Sequence, residues 1–344
     1  PKSVTTLGRN CLSKTKLTEI TIRGNAEAAS TDYPPFANCS LLTSMTFVDG
    51  VTKVGYGIAN GCTTLTEINI ADTVTSIDGY AMCNTGITSL TIPKKVTSLG
   101  NYAIADCKNL TEVNIVGNVT ANSNRPAFNG CAALTTVRFK DGVTVVNGGV
   151  VQGLKSLTTL ELADSITAIK ADAFNGCSGI TGELRLPDSL TQLGDNTFNG
   201  CTGITSVTNM GTITSCGRER YPSFNGCTGL TTVSYKEGAI STPAFLFLDC
   251  SNLKTVNFVD SIAKIGDSTF KNTGLEGEIR LPDSCTQLDN CSFFGCTGIT
   301  SVTNMGTITS CGSSKWPSFG GCTGLTTVVF RDNATSIPSY LFLN

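Results

Sequence analysis

The 344-residue chain contains no histidine at all. That absence removes Ser-His-Asp and Cys-His catalytic arrangements, a histidine general base, and every metal site that needs an imidazole. Tryptophan occurs once, and charged residues make up only 15% of the chain, 24 basic against 26 acidic. So even a balance gives no general attraction to nucleic acid or to an anionic membrane. No apolar run approaches the ~18 residues of a membrane span, so no membrane insertion is expected. The chain opens at Pro1 without a basic-then-apolar leader and is read as a mature or trimmed fragment. Cys-x-x-Cys pairs are also missing, and with them the spacing that signals zinc. No cofactor is expected.

What the sequence has in abundance is repetition. Ala173-Phe174-Asn175-Gly176-Cys177 recurs almost unchanged around Phe128, Phe198, Phe224 and Phe319. Taking the phenylalanine as anchor, equivalent positions are Leu12, Phe36, Ala59, Met82, Ile104, Phe128, Val151, Phe174, Phe198, Phe224, Phe247, Phe270, Phe293, Phe319 and Phe342, separated by 22 to 26 residues. At the third anchor, Ile58 would better match the spacing of Tyr80-x-Met82 and Tyr102-x-Ile104. After each anchor comes a short alternating segment such as Leu65-x-x-Ile68-x-Ile70 or Leu110-x-x-Val113-x-Ile115, the period of a strand with one buried face. A turn and a second extended piece follow, for example Val74-Thr75-Ser76-Ile77. The Ala-Phe-x-x-Cys segment is expected to close each rung as one helical or 3₁₀ turn.

A 23-residue unit cannot bury its apolar residues alone; stacking turns each apolar position into a ladder. The fold expected is therefore α/β, mainly β: one solenoid over residues 1–344 with about fourteen rungs of ~23 residues, spaced ~4.8 Å apart. Ten of the sixteen cysteines occupy one position of the repeat. They are read as buried thiols in a small apolar slot, because stacked Cβ vectors run parallel and not toward one another.

The pattern Ile-Gly-x-x-Ala-Phe-x-x-Cys-x-x-Leu-Thr-x-Val-x-Ile-Pro resembles the BspA-like, treponemal-type class of leucine-rich repeat, over essentially the whole chain. The resemblance implies a curved right-handed solenoid in a secreted or cell-surface protein, and a role in adhesion or display and not catalysis. Beside a complete protein of that class, these residues are read as a fragment without its leader, wall anchor or non-repeat domain, ending inside a rung at Phe342-Leu343-Asn344.

A longer period lies over the short one. The stretch of about residues 182–247 reappears 95 residues later at 277–342, a period of four rungs. On the same beat, Tyr33-Pro-Pro-Phe36, Arg125-Pro-Ala-Phe128, Tyr221-Pro-Ser-Phe224 and Trp316-Pro-Ser-Phe319 place a large residue and a proline before the anchor. Each follows a rung whose second extended piece is replaced by Gly-, Ser- and Asn-bearing sequence. Tyr33, Arg125, Arg218, Arg220, Tyr221, Lys315 and Trp316 would fall on one edge, and Trp, Tyr and Arg dominate binding hot spots. Either these are recognition loops, or the aromatic-proline pair plugs the gap left by a missing strand. The strand face is a second candidate, with Glu67 and Glu112 toward the start and Arg138, Arg185 and Arg280 later; it is equally readable as ordinary solvation.

Threonines in the Leu-Thr and Val-Thr pairs are read as strand formers whose hydroxyls bond along the stack. Five glycosylation-type sequons, including those at Asn109 and Asn118, arise easily in a Thr-rich repeat. An enzyme would need a deep pocket, which thin rungs with a filled core do not offer. The expected function is a monomeric, non-catalytic adhesion module that binds an extracellular protein or glycan and no nucleic acid; the alternative is a structural spacer without its own ligand.

Overall fold

The computed structural model describes residues 1–343, so that Asn344 lies outside the described residues. It contains strands and turns, with no helix among the described residues, and its parallel strands build a β-solenoid of about fourteen turns. Two compact units divide the chain, residues 1–163 and the remainder.

In the first unit the leading strand of each rung pairs in parallel with its successor: Glu19–Ile22, Ser44–Phe47 and Glu67–Ile70 in one sheet, then Ser89–Ile92, Glu112–Ile115, Thr136–Phe139 and Thr159–Leu162 in another. Alternation decides which side chains turn inward. Met45 and Phe47, Leu90 and Ile92, Val113 and Ile115 are buried. The second extended piece forms a narrower parallel ladder, Lys53–Val54, Ser76–Ile77 and Ser98–Leu99. The second unit repeats the scheme with Thr181–Arg185, Gly203–Met210, Thr232–Tyr235 and Thr255–Asn257, then Glu276–Arg280, Gly298–Met305 and Thr327–Phe330. Register shifts between Gly182 and Glu183 and between Gly277 and Glu278 fall at matching places of the 95-residue repeat.

The anchors form the core wall that the sequence pattern implies. Phe174, Phe198, Phe224, Phe247, Phe270, Phe293 and Phe319 are fully buried or nearly so. Their rings stack with centroids 4.8 to 5.8 Å apart. Beside them runs the cysteine ladder. The Sγ of Cys131, Cys201, Cys227 and Cys322 each donates to the carbonyl of the preceding rung's anchor, at 3.1 to 3.2 Å. Threonine takes the cysteine position at Thr85 and Thr273 and bonds its own anchor's carbonyl instead. All sixteen cysteines stand as thiols. Threonine hydroxyls also bond along the stack as expected: Thr66 to the Thr43 carbonyl and Thr111 to that of Thr88.

The rung closure differs from the helical turn expected from sequence. In the Met82 rung, the N–H groups of Tyr80, Met82 and Asn84 donate to the carbonyls of Asn101, Ala103 and Ala105 on the next rung, while those of Ala81 and Cys83 close local turns. A helix would consume all these donors internally; alternating them ties one rung to the next. The geometry requires left-handed residues four apart, and these recur as Tyr80 and Asn84, Tyr102 and Asp106, Asp172 and Gly176, Asn196 and Gly200. At the third rung Gly57 and Gly61 hold these places, which makes Ala59 the anchor, with Ile58 buried beside it.

Candidate interaction edge

Proline stands at the first left-handed position in four rungs: Pro34, Pro126, Pro222 and Pro317. Its ring fixes φ near −65° and it carries no N–H, so the chain can neither turn left-handed there nor donate along the stack. In three of these rungs the second extended ladder shrinks to single bridges, Ser98 with Thr120, Gln192 with Ser215, and Gln287 with Ser310, whereas the Pro34 rung keeps Glu27–Ala28 paired with Thr6–Leu7. Freed from the ladder, the chain swings out as a loop before it returns to the proline.

In the second unit the base of each loop is firmly held. Gly217 and Gly312 donate N–H to the hydroxyls of Ser223 and Ser318, both at 2.9 Å. Those hydroxyls, wholly buried, donate onward to the carbonyls of Gly194 and Leu288. Any side chain at Gly217 or Gly312 would strike the carbonyl oxygen of Tyr221 or Trp316. The serine of the Pro-Ser-Phe motif is thus the staple of the loop.

What the loops present is aromatic and cationic. Trp316 is 44% exposed, with the ammonium groups of Lys315 and Lys271 5.2 and 5.9 Å from its ring centroid. The guanidinium groups of Arg218 and Arg220 each lie 5.5 Å from the Tyr221 ring. Arg218 also grips Asp195 of the preceding rung through its backbone N–H and its side chain. A small cavity of about 240 Å³ beside Trp316 is lined by Glu219, Phe245, Asp267 and Lys271 among others.

In the first unit Tyr33 is 49% exposed, with Arg9 5.3 Å from its ring centroid, and Arg125 is exposed at the other proline rung. The rungs between carry three tyrosines on this turn edge. Tyr56 and Tyr80 meet edge to face with centroids 6.0 Å apart, and Tyr80 and Tyr102 are 5.7 Å apart. A depression of about 620 Å³ lies against Tyr56 and Tyr80, lined also by Asp32, Asn84, Asp106 and Lys108.

The strand face is differently arranged. Arg138 lies between Glu112 and Glu161, bonding the latter at 2.8 Å, and holds the Glu112 carboxyl below its ordinary range. Arg185 bridges Asp164 and Asp188 at 2.8 and 3.0 Å, and Arg280 repeats this with Asp260 and Asp283. The Asp164 and Asp260 carboxyls are lowered, first by these arginines and then by backbone N–H donors. Glu67 accepts from Asn69 at 2.8 Å and borders an open depression of about 670 Å³ with Lys94 and Lys95. The charge trend legible in sequence is therefore resolved locally into ion pairs between neighbouring rungs.

Sequence reading reached the loop residues but missed Tyr56, Tyr80, Tyr102, Lys271 and Asp267. The signal was available. Tyr80 and Tyr102 sit two residues before their anchors, the offset that proline occupies in the loop rungs, and Tyr56 takes the offset of Tyr221 and Trp316.

No cluster able to hold a metal ion and no helix long and apolar enough to cross a membrane occurs among the described residues. A family model described as a BspA type leucine rich repeat region matches residues 1–57, 30–154, 122–225, 150–276 and 220–344. Among solved structures, the chain is similar to a leucine-rich repeat protein from Bacteroides ovatus, with a TM-score of 0.65 and 26% identity over 96% of this chain and 86% of that one. A leucine rich cell surface protein from Faecalibacterium prausnitzii matches with a TM-score of 0.35 and 22% identity, over 91% and 83% of the two chains. A leucine-rich repeat protein from Eubacterium ventriosum matches at 0.43 and 18%, over 95% and 93%. No curated protein matches.

Proposed function

The chain belongs to the BspA-type leucine-rich repeat family, and from that premise we propose that it is a non-catalytic interaction module of a surface or secreted protein, with its partner held along the turn edge. One contrast carries this reading. On the strand face, Arg138, Arg185 and Arg280 are matched to carboxylates of adjacent rungs. On the turn edge, Tyr33, Tyr56 and Trp316 stand exposed at positions that other rungs fill with Gly, Ala or Asp. Exposed aromatic and arginine side chains on a rigid base are the features that concentrate binding energy, since little ordering entropy remains to be lost. A spacer without a ligand would have no use for them.

The partner is an extracellular protein or glycan. The test is binding of the chain to immobilised matrix proteins and glycans, wild type beside Trp316→Ala/Tyr221→Ala. Binding that weakens while the melting curve holds supports the reading; a double variant that binds as wild type, or no binding to any surface, overturns it.

A further inference from the structure

We propose that the turn edge of the first unit carries a binding subsite for a neutral glycan, built on Tyr56, Tyr80 and Tyr102. This deepens the interaction reading above by naming a ligand class, and it stands on residues of the first unit alone.

The backbone provides the first reason. Tyr80 and Tyr102 have φ of 54° and 53°, a region that bulky side chains rarely adopt and that glycine, asparagine and aspartate tolerate far better. Equivalent positions elsewhere include Asn10, Gly57, Gly149, Asp172 and Asn196, which suit the conformation, alongside Ser268, Cys291 and the bulky Phe245 and Tyr340 of the second unit. Successive rungs here carry tyrosine against that preference. The rung does not need the ring, because it closes the same way with asparagine; such outliers gather where a surface has a use.

Polar chemistry supplies the second. Asp32, Asn84, Asp106 and Lys108 border the 620 Å³ depression. Among the described residues, no hydrogen bond or ion pair of the protein uses their side-chain groups or the hydroxyls of the three tyrosines. A site with apolar ring surface and several unengaged donors and acceptors matches a pyranose, whose C–H face needs an aromatic surface and whose hydroxyls need carboxylate, amide and ammonium partners. The volume lies within the range of small-ligand sites.

Charge narrows the class. Two carboxylates face one ammonium, so a sulfated or phosphorylated ligand would meet net repulsion, whereas a neutral sugar offers hydroxyl donors to both carboxylates. An apolar peptide would bury those carboxylates without partners. A lysine-bearing peptide would meet Lys108. The tyrosines also do not enclose a cage; their centroids run along the stack at 6.0 and 5.7 Å, which suits an extended chain of sugar rings.

Affinity electrophoresis tests this, with the whole chain run through gels containing neutral polysaccharides (mannan, galactan, β-glucan, starch) and through a heparin gel. The variant is Tyr80→Asn/Tyr102→Asn, which installs the residue the scaffold uses at Asn10 and Asn196; Tyr56→Ala is the second, since Ala171 holds that place elsewhere. Retardation by at least one neutral polysaccharide, weakened about tenfold or more in both variants with an unchanged melting curve, is expected. Retardation by heparin alone, by no gel, or equally in wild type and variants overturns the subsite, as does a lowered melting temperature in both variants. Neutral-glycan retardation lost in Trp316→Ala but kept in Tyr80→Asn/Tyr102→Asn would also overturn it while leaving the interaction module standing.

Discussion

The thiol of Cys227 lies 3.1 Å from the carbonyl oxygen of Phe198, one rung before it, and donates to it. The contact repeats along each unit and joins the two ladders of the core: each cysteine fills the slot beside an anchor and satisfies the carbonyl that the anchor leaves behind. Most thiols so placed resist ionisation. Burial pushes Cys62, Cys250 and Cys322 up to about 12 and Cys296 to about 11, and holds Cys227 well above its ordinary value, whereas a hydrogen bond with Cys131 lowers Cys107.

Alkaline unfolding follows from those shifts. Below about pH 8.5 native and unfolded thiols are both protonated and titration contributes nothing. Above it the unfolded chain loses protons that the folded chain keeps, so stability falls by about 1.4 kcal/mol per pH unit for each such cysteine until the native values near 12 are reached. Circular dichroism should show cooperative unfolding that starts between about pH 9 and 10. A chain that keeps its signal while thiolate absorbance grows in step with pH would show the cysteines to be accessible.

Thiol count is a second expectation. Unfolded without reductant, the chain should release most of its sixteen cysteines to a thiol reagent, and folded it should yield few beyond the exposed Cys11. A count near zero in denaturant would mean that disulfides hold the stack.

Tyr235 offers a stabilising substitution. Its ring stacks on Phe258 at 5.8 Å, but its buried hydroxyl finds no hydrogen-bond partner among the described residues. The matching position of the 95-residue repeat is Phe330. Removing an unsatisfied buried hydroxyl returns its desolvation cost, so Tyr235→Phe should raise stability by about 1 kcal/mol. Denaturant midpoints settle it, and a lowered midpoint would show that the hydroxyl has a partner.

Arg185 should matter little to stability. Its pairs with Asp164 and Asp188 are about half exposed, and exposed pairs contribute about 0–1 kcal/mol, less in salt. Arg185→Met is expected to shift the denaturant midpoint by no more than that at low salt and by less at high salt. A loss of several kcal/mol would make the strand-face clusters part of the frame.

The scaffold was legible in sequence because every rung states it again. Anchor spacing gave the stacking, alternation gave the strands, and the recurring cysteine gave the slot beside Phe198 and its equivalents. The closing turn was not legible. Ala-Phe-x-x-Cys has the length and composition of a helical turn, and only the paired left-handed positions, such as Asp172 with Gly176, show that alternate N–H groups leave the rung. The loops at Tyr221 and Trp316 stand out in sequence as departures from the repeat. Tyr80 and Tyr102 do not stand out in sequence because their rungs keep the repeat length, and the strain that marks them lies in φ, which a sequence does not print.

The central claim is a division of labour: the anchors hold the stack, and the residues before the prolines face a partner. Melting temperatures of Phe224→Ala and Phe319→Ala beside Tyr221→Ala and Trp316→Ala test it most directly. Each phenylalanine is buried between stacked neighbours, and its loss should cost about 3–5 kcal/mol, several degrees or more in melting temperature. The Tyr221 and Trp316 variants should melt within about 1–2 °C of wild type. Comparable losses in the two sets would contradict the division and make the aromatic-proline pairs plugs of the scaffold.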